Sequence, residues 1–420
     1  MAMTKKPVTG MKDILPAEMQ IRDYVIGQIK DTYRGFGFTQ IETPCVESIG
    51  NLSSKQGGEN EKLIFKILKR GEKLNLETAQ NEADLVDGGL RYDLTVPLSR
   101  FYANHAAELP KPFKALQIGP VWRADRPQKG RFRQFYQCDI DILGDTTNLA
   151  EIELILATTT LLGKIGFSGF TVRVNDRRIL KAMAKYSGFT EEQYDEVFII
   201  LDKMDKIGLE GVEEEMKKYG FPEESVKTYL EMFQDLQNTE DGLGYVGEKL
   251  KEVMEGNAPE NLQQIFGAVQ STTESSFHLV FDPTLVRGMS YYTGTIFEIG
   301  VDGFPGSVAG GGRYDGMVGR FTGQETSACG FSIGFERIVT ILLEEGFQAP
   351  GGSGRKAYLL EKNMGAERMG QILKEAMAER AAGVQVLVTV MNKNKKFQKE
   401  QLEKEGYTEF REFYREELKR

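Results

Sequence analysis

Strand-like runs in this chain stop near Asp176 and resume near Phe277, and residues 176–276 between them read as charged, amphipathic helices such as EEQYDEVFIILDKMDKIGLEGVEEEMKKYG. Extended runs fall at 90–98, 115–123, 133–143 and 169–175, and FHLVFDP, YYTGTIFEIG and SACGFSIGF follow the break. A sheet made from these runs must therefore be discontinuous in sequence, with the helical block inserted into it. The expected fold class is α+β. A helix at 18–36, carrying Ile21, Val25, Ile29, Tyr33 and Phe36 on one stripe, feeds an extended run in which Pro44 favours an edge position. Residues 148–165 and about 336–345 read as further helices.

After the glycine- and proline-rich QAPGGSGRK, which reads as a linker, strand and helix alternate as in a small α/β domain: AYLLE, a helix at 364–382, VQVLVTV and a charged helix from Lys396. The ending TEFREFYREELKR reads as a charged helix that leaves the small sheet without its later strands. From Arg355 onward Lys and Arg outnumber Asp and Glu, although the whole chain carries a net charge of −9. That balance argues against a protein that coats nucleic acid indiscriminately.

Chemistry is concentrated in GPVWRADRPQKGRFRQFYQCDID (119–141), where Arg123, Arg126, Arg131 and Arg133 lie on or between two strand-like runs. A guanidinium fork matches phosphate oxygens two at a time, so this hairpin is suited to a polyphosphate. Strand alternation points Gln137 and Asp141 the same way, which sets acceptors for a hydrogen-bond donor beside the cations. Cys45, Cys138 and Cys329 are far apart, and His105 and His278 lack partners at ligand spacing, so disulfide frameworks, cysteine- or histidine-based metal sites and Ser/His or Cys/His nucleophiles are not suggested. The polar start MAMTKKPVTGMKD has no signal-peptide core and no apolar run is long enough to span a membrane, which predicts a cytoplasmic protein.

Four more segments, RYDLTVP (91–97), LVRGMSYYTGTIFEIG (285–300), AGGGRYDGMVG (309–319) and GFSIGFERIV (330–339), occur in order with 119–141. Together they resemble the histidyl-tRNA synthetase family, a likeness that runs from VTGMKDILP to Leu343. The resemblance implies a class II synthetase: an antiparallel sheet flanked by helices, a homodimer, and activation of L-histidine by ATP with Mg2+ before transfer to tRNA(His). It implies a catalytic domain at 1–345 interrupted by an insertion domain at 176–276, a linker at 346–354 and a shortened anticodon-binding-like domain at 355–420.

By the same resemblance Arg123 meets the α-phosphate, Arg337 the γ-phosphate end of ATP, and Arg287 the α-phosphate and the histidine carboxylate. Arg131 and Glu336 join the ATP-binding set. Asp93, Thr95 and Gln137 match positions that hold the ammonium, with Asp93 and Thr95 expected two apart on one strand face, and Asp141 and Tyr292 match contacts to the imidazole. Asp141 stands where many bacterial members carry glutamate, and FYQCDID resembles the eukaryotic-type pattern. Tyr291 is grouped with Tyr292, although as its strand neighbour it should face the core. Arg313 and Tyr314 complete the histidine set, against the plainer reading of a loop salt bridge and a core tyrosine. Gly310, Gly311 and Gly312 permit positive φ or close approach of backbone to a ligand. The chain departs from the usual LDYY with Met289, Ser290, Tyr291 and Tyr292, so a carboxylate is missing. The alternative is a histidine-sensing paralogue like the regulatory subunit of ATP phosphoribosyltransferase, which also lacks the C-terminal domain but has no reason to keep Arg123, Arg287 and Arg337 together.

Overall fold

Helix α1 (Pro16–Gly35) forms where the apolar stripe predicts it, and its Ile21, Val25, Ile29 and Tyr33 are buried. The structure, a computed structural model, describes residues 4–53, 59–128, 130–273, 276–286, 291–350 and 354–415. Strands β1 (Thr39–Ile41) and β2 (Val46–Ser48), helix α2 (Ile49–Leu52), and strands β3 (Lys66–Leu68) and β4 (Val86–Leu90) follow α1. Helix α3 (Thr95–His105) precedes the long hairpin β5 (Phe113–Trp122) and β6 (Gln134–Leu143), and then come α4 (Leu149–Lys164) and β7 (Phe170–Asp176). Helices α5 (Arg177–Tyr186), α6 (Tyr194–Leu201), α7 (Met204–Tyr219), α8 (Glu223–Gln237), α9 (Gly242–Lys249) and α10 (Ala258–Thr272) separate β7 from β8 (Phe277–Phe281). Strands β9 (Thr295–Gly300) and β10 (Ser307–Arg313), helix α11 (Asp315–Thr322), strand β11 (Ala328–Ile333) and helix α12 (Phe335–Glu344) lead to the C-terminal elements.

The sheet is indeed built from both sides of the helical block, in the order β1-β5-β6-β11-β10-β9-β7-β8. Its pairs from β5 through β7 are antiparallel, while β1 with β5 and β7 with β8 are parallel. A separate antiparallel sheet has the order β2-β4-β3. Cross-strand register sorts the large sheet into two chemically different faces. Ile140, Phe331 and Phe297 lie on one face, with the Phe297 and Phe331 rings 4.4 Å apart. The opposite face carries Asp141 beside Gly330 and Asp139 beside Ser332.

One local expectation is corrected here. The run 90–98 is not one strand: β4 ends at Leu90 and α3 begins at Thr95. Asp93 Oδ1 accepts the Val96 N–H at 3.0 Å, and Pro97 falls in the first helical turn, where its missing donor is not needed. The triple glycine lies in β10, and the close approach there is to backbone: an added Cβ on Gly311 would stand 2.0 Å from the Gly330 carbonyl oxygen. Because that neighbour is backbone, Gly311→Ala should destabilise the fold by about 3 kcal/mol. Gly300→Ala, with open space around it, should stay within about 0.5 kcal/mol of wild type in the same urea-unfolding series.

The chain divides into two compact units, Met1–Lys12 with Gly27–Thr340, and Asp13–Ile26 with Ile341–Arg420. In the second, β12 (Arg355–Leu360), α13 (Ala366–Ala381), β13 (Gln385–Val390), α14 (Lys395–Lys404) and β14 (Glu409–Phe413) alternate. The expected helical ending is overturned by β14, which pairs in parallel with β12 in a sheet of order β13-β12-β14. Phe410 packs with Ala357, Leu359 and Leu402, and Phe413 packs in a separate cluster with Tyr358, Leu360 and Ile372, as alternation across a two-faced strand requires. Its charges are satisfied by ion pairs: Arg411 meets Glu375, and Glu412 meets Lys395 and Lys399, the two lysine contacts at 2.8 Å.

Candidate active site

A cleft of about 330 Å3 opens on the polar face of the large sheet. Gln137, Asp139 and Asp141 enter it from β6, Asp93 and Thr95 from the start of α3, and Gly330 and Ser332 from β11. Glycine at 330 leaves room for Asp141, whose Oδ1 would lie 2.0 Å from a Cβ there. The buried Arg91 braces the backbone beside β5, donating from Nε to Pro120 O at 2.9 Å and from Nη1 to Thr43 O at 2.7 Å.

Asp93, Asp139 and Asp141 are all buried, and burial raises each carboxyl above its ordinary pKa. Asp141 is pushed up to about 7 by burial, against the opposing bond from the Tyr314 hydroxyl at 2.5 Å. Asp139 is raised well above the carboxylate range by burial and by Asp141 beside it, and Asp93 by burial, opposed by the Val96 N–H and Arg123. Gln137 Nε2 donates to Asp139 Oδ2 at 3.2 Å and to Ser332 Oγ at 3.1 Å, leaving its buried Oε1 with no partner. The wall is thus an acceptor surface that lacks enough positive charge, and a ligand bearing an ammonium and ring N–H donors would supply it.

Cations stand elsewhere in the same cleft. Arg123 donates from Nε to Tyr92 O at 3.0 Å, and its guanidinium lies over the rings of Tyr92 and Phe135, 4.3 and 5.2 Å from their centroids. Arg337 is fixed by donating from Nη1 to the Ser307 carbonyl, and Glu336 accepts the Tyr136 N–H at 3.1 Å. Asp141 is five residues along β6 from Tyr136, about 16 Å at the rise of a strand. The cleft therefore runs from Asp141 to the Glu336–Arg337 end, with Arg123 near enough to Asp93 and Asp139 to act on both. Arg131 also lines it, half exposed and paired with Asp125 at 3.1 Å.

The match to the histidyl-tRNA synthetase family model covers residues 10–338. The chain belongs to the histidyl-tRNA synthetase family. It is 43% identical over 407 residues to the histidine–tRNA ligase of Leifsonia xyli subsp. xyli, covering 94% of this chain and 92% of that one. Against the histidine–tRNA ligase of Christiangramia forsetii it is 39% identical over 362 residues, 82% of this chain and 78% of the relative. The crystal structure of histidyl-tRNA synthetase from Nostoc sp. PCC 7120 superposes with a TM-score of 0.78 at 27% identity, covering 96% of this chain and 90% of that one. An ATP phosphoribosyltransferase regulatory subunit/histidyl-tRNA synthetase from Bacillus halodurans C gives 0.76 at 20% identity, covering 99% of each chain, a likeness of fold.

Within this histidyl-tRNA synthetase fold the predicted residues separate. Asp93, Thr95, Arg123, Arg131, Gln137, Asp141, Tyr291, Tyr292, Tyr314, Glu336 and Arg337 share the cleft. Arg313 does not line it: its guanidinium binds Glu151 through two contacts of 2.7 Å and also reaches Asp145 O and Thr147 O. Arg133 is turned to Asp125 O and Thr9 O, and Arg126 is exposed, so two of the four hairpin arginines line the cleft. Tyr291 does not face away from Tyr292 as strand alternation predicted. Both precede β9, their rings 4.8 Å apart, and Tyr291 also meets Tyr314 edge-on at 6.0 Å. Arg287 and Ser290 lie outside the described residues. Asp139 was missed, although it shares strand parity with Gln137 and Asp141.

Proposed function

We propose that this chain activates L-histidine with ATP to histidyl-adenylate and transfers the histidyl group to tRNA(His). The observation that carries this reading is one cleft holding three buried carboxyls short of positive charge together with Arg123 and Arg337. A sensor of histidine alone would have no use for both arginines. In the reaction the histidine carboxylate attacks the α-phosphate in line and pyrophosphate leaves, so negative charge gathers at phosphorus oxygens and the protein must answer it with fixed cations.

Asp93, Thr95 and the Gln137 carbonyl hold the ammonium, while Asp141 accepts from an imidazole N–H and Tyr292 flanks the ring. Tyr314 positions Asp141. Arg123 receives the α-phosphate and Arg337 the γ-phosphate end, with Arg131 and Glu336 in the nucleotide set and Arg287 between α-phosphate and carboxylate. Magnesium would come with the nucleotide's phosphates, where it would offset their charge. Glu336 is the carboxylate beside Arg337 in the nucleotide set. The working form is a cytoplasmic homodimer. Edge strand β1 and the adjoining Pro44 segment suit a subunit contact.

Charging of a tRNA(His) transcript with labelled histidine tests the assignment, and absence of charging at saturating ATP would overturn it. Asp139 has a narrower task, holding the Gln137 amide so that Oε1 faces the ammonium. Asp139→Asn should raise the KM for histidine about tenfold, the worth of one hydrogen bond, with a smaller change in kcat.

A further inference from the structure

The helical block carries a second pocket of about 310 Å3, formed by α5, the segment from Glu191 to Phe198, and Val253 with Glu255. Arg177 opens α5 and is only 6% exposed. None of the hydrogen bonds or ion pairs among the described residues involves its guanidinium, and Nε is buried without an acceptor. The group lies over the Phe198 ring, 4.8 Å from the centroid, and burial lowers its pKa despite the attraction of Asp195. Its neighbour shows the usual solution: Arg178 grips Asp176 through contacts of 2.9 and 2.8 Å. A guanidinium whose Nε–H is withdrawn from water and left unanswered is costly enough to call for an acceptor at the pocket.

Lys181 and Lys185 follow Arg177 at helical spacings of four and eight, on the same face, and both are exposed and line the pocket. The acidic lining groups, Glu191, Asp195 and Glu255, are also exposed, so the buried floor is cationic and aromatic beneath a mixed rim. We propose that this pocket binds the phosphate group of a small phosphomonoester, with Arg177 beneath the phosphate, Lys181 and Lys185 beside it, and the rim carboxylates accepting from hydroxyl groups on the rest of the ligand. A planar fork suits two phosphate oxygens, and the volume is at the lower end of small-molecule sites.

Hydrogen exchange of residues 177–198 in the full chain, read with ribose 5-phosphate as probe, tests the site. Millimolar probe should slow exchange there in wild type. The effect should need about tenfold more probe in Lys181→Met/Lys185→Met, whose altered positions are exposed, and vanish in Arg177→Met. Histidine-dependent pyrophosphate exchange should be unchanged in the double variant. No slowing in wild type, or equal slowing in the double variant, overturns the proposal. A tRNA(His) transcript that displaces the probe would assign the pocket to an RNA phosphate and overturn the small-ligand reading, whereas failure to displace it supports that reading.

Discussion

Replacing Arg123 by alanine is expected to slow histidine-dependent pyrophosphate exchange by about 100- to 1,000-fold, the usual loss when one preorganised transition-state donor is removed. The arginine is held before any ligand arrives: Nε is committed to Tyr92 O, and two aromatic rings fix the plane of the guanidinium. Its remaining donors need no reorganisation as charge develops, which is why the loss should fall on kcat. Lysine should not restore activity, because an ammonium can neither reproduce the planar stacking nor offer two parallel donors. Exchange rates measured beside calorimetric histidine binding separate the two effects. A variant that loses histidine affinity in proportion to rate would place Arg123 on the amino acid and not on the phosphate.

Asp141→Asn should lower kcat/KM for histidine by about 100-fold or more, since it removes the charged acceptor of a site that pairs ring donors. The same carboxyl gives the free protein a pH signature. Its pKa is near 7 in the fold, well above the ordinary value of 3.8, so the folded state holds a proton that the unfolded chain releases between those limits. Its contribution to stability is complete below about pH 4 and is lost as pH rises through about 7. At pH 8 without ligand, Asp141→Asn should therefore be more stable than wild type, by on the order of 2 kcal/mol, while being far less active. Because the ligand favours the ionised carboxylate, histidine should bind wild type about tenfold more weakly at pH 6 than at pH 8. Asp141→Asn should lose that step, leaving the titrations of histidine's own imidazole and of Asp93 and Asp139. Melting curves and calorimetry across that range check both signs.

Much of this site was legible because strand parity and arginine chemistry act locally. Gln137 and Asp141 share a face by alternation alone, and the same parity would have delivered Asp139 had it been carried one step further. Arg313 was misplaced because nothing near it in sequence announces Glu151, the partner 162 residues away that turns it from the cleft. The 90–98 run resembled a strand by its apolar residues, but a single carboxylate at Asp93 caps a helix start there. The chain ending looked helical because it is dense in charge, and the tertiary ion pairs that let EFREF lie in a sheet are made with α13 and α14. Arg177 gave no sign at all: a guanidinium Nε buried without an acceptor is a property of packing.

The most direct measurement is exchange of labelled pyrophosphate into ATP by the full chain, with each amino acid supplied in turn and histidinol as competitor. Exchange with L-histidine alone, suppressed by histidinol and slowed about 100- to 1,000-fold in Arg123→Ala, is the predicted result. Tight histidine binding with no exchange, at saturating ATP and Mg2+, would contradict it and leave a sensor in place of an enzyme.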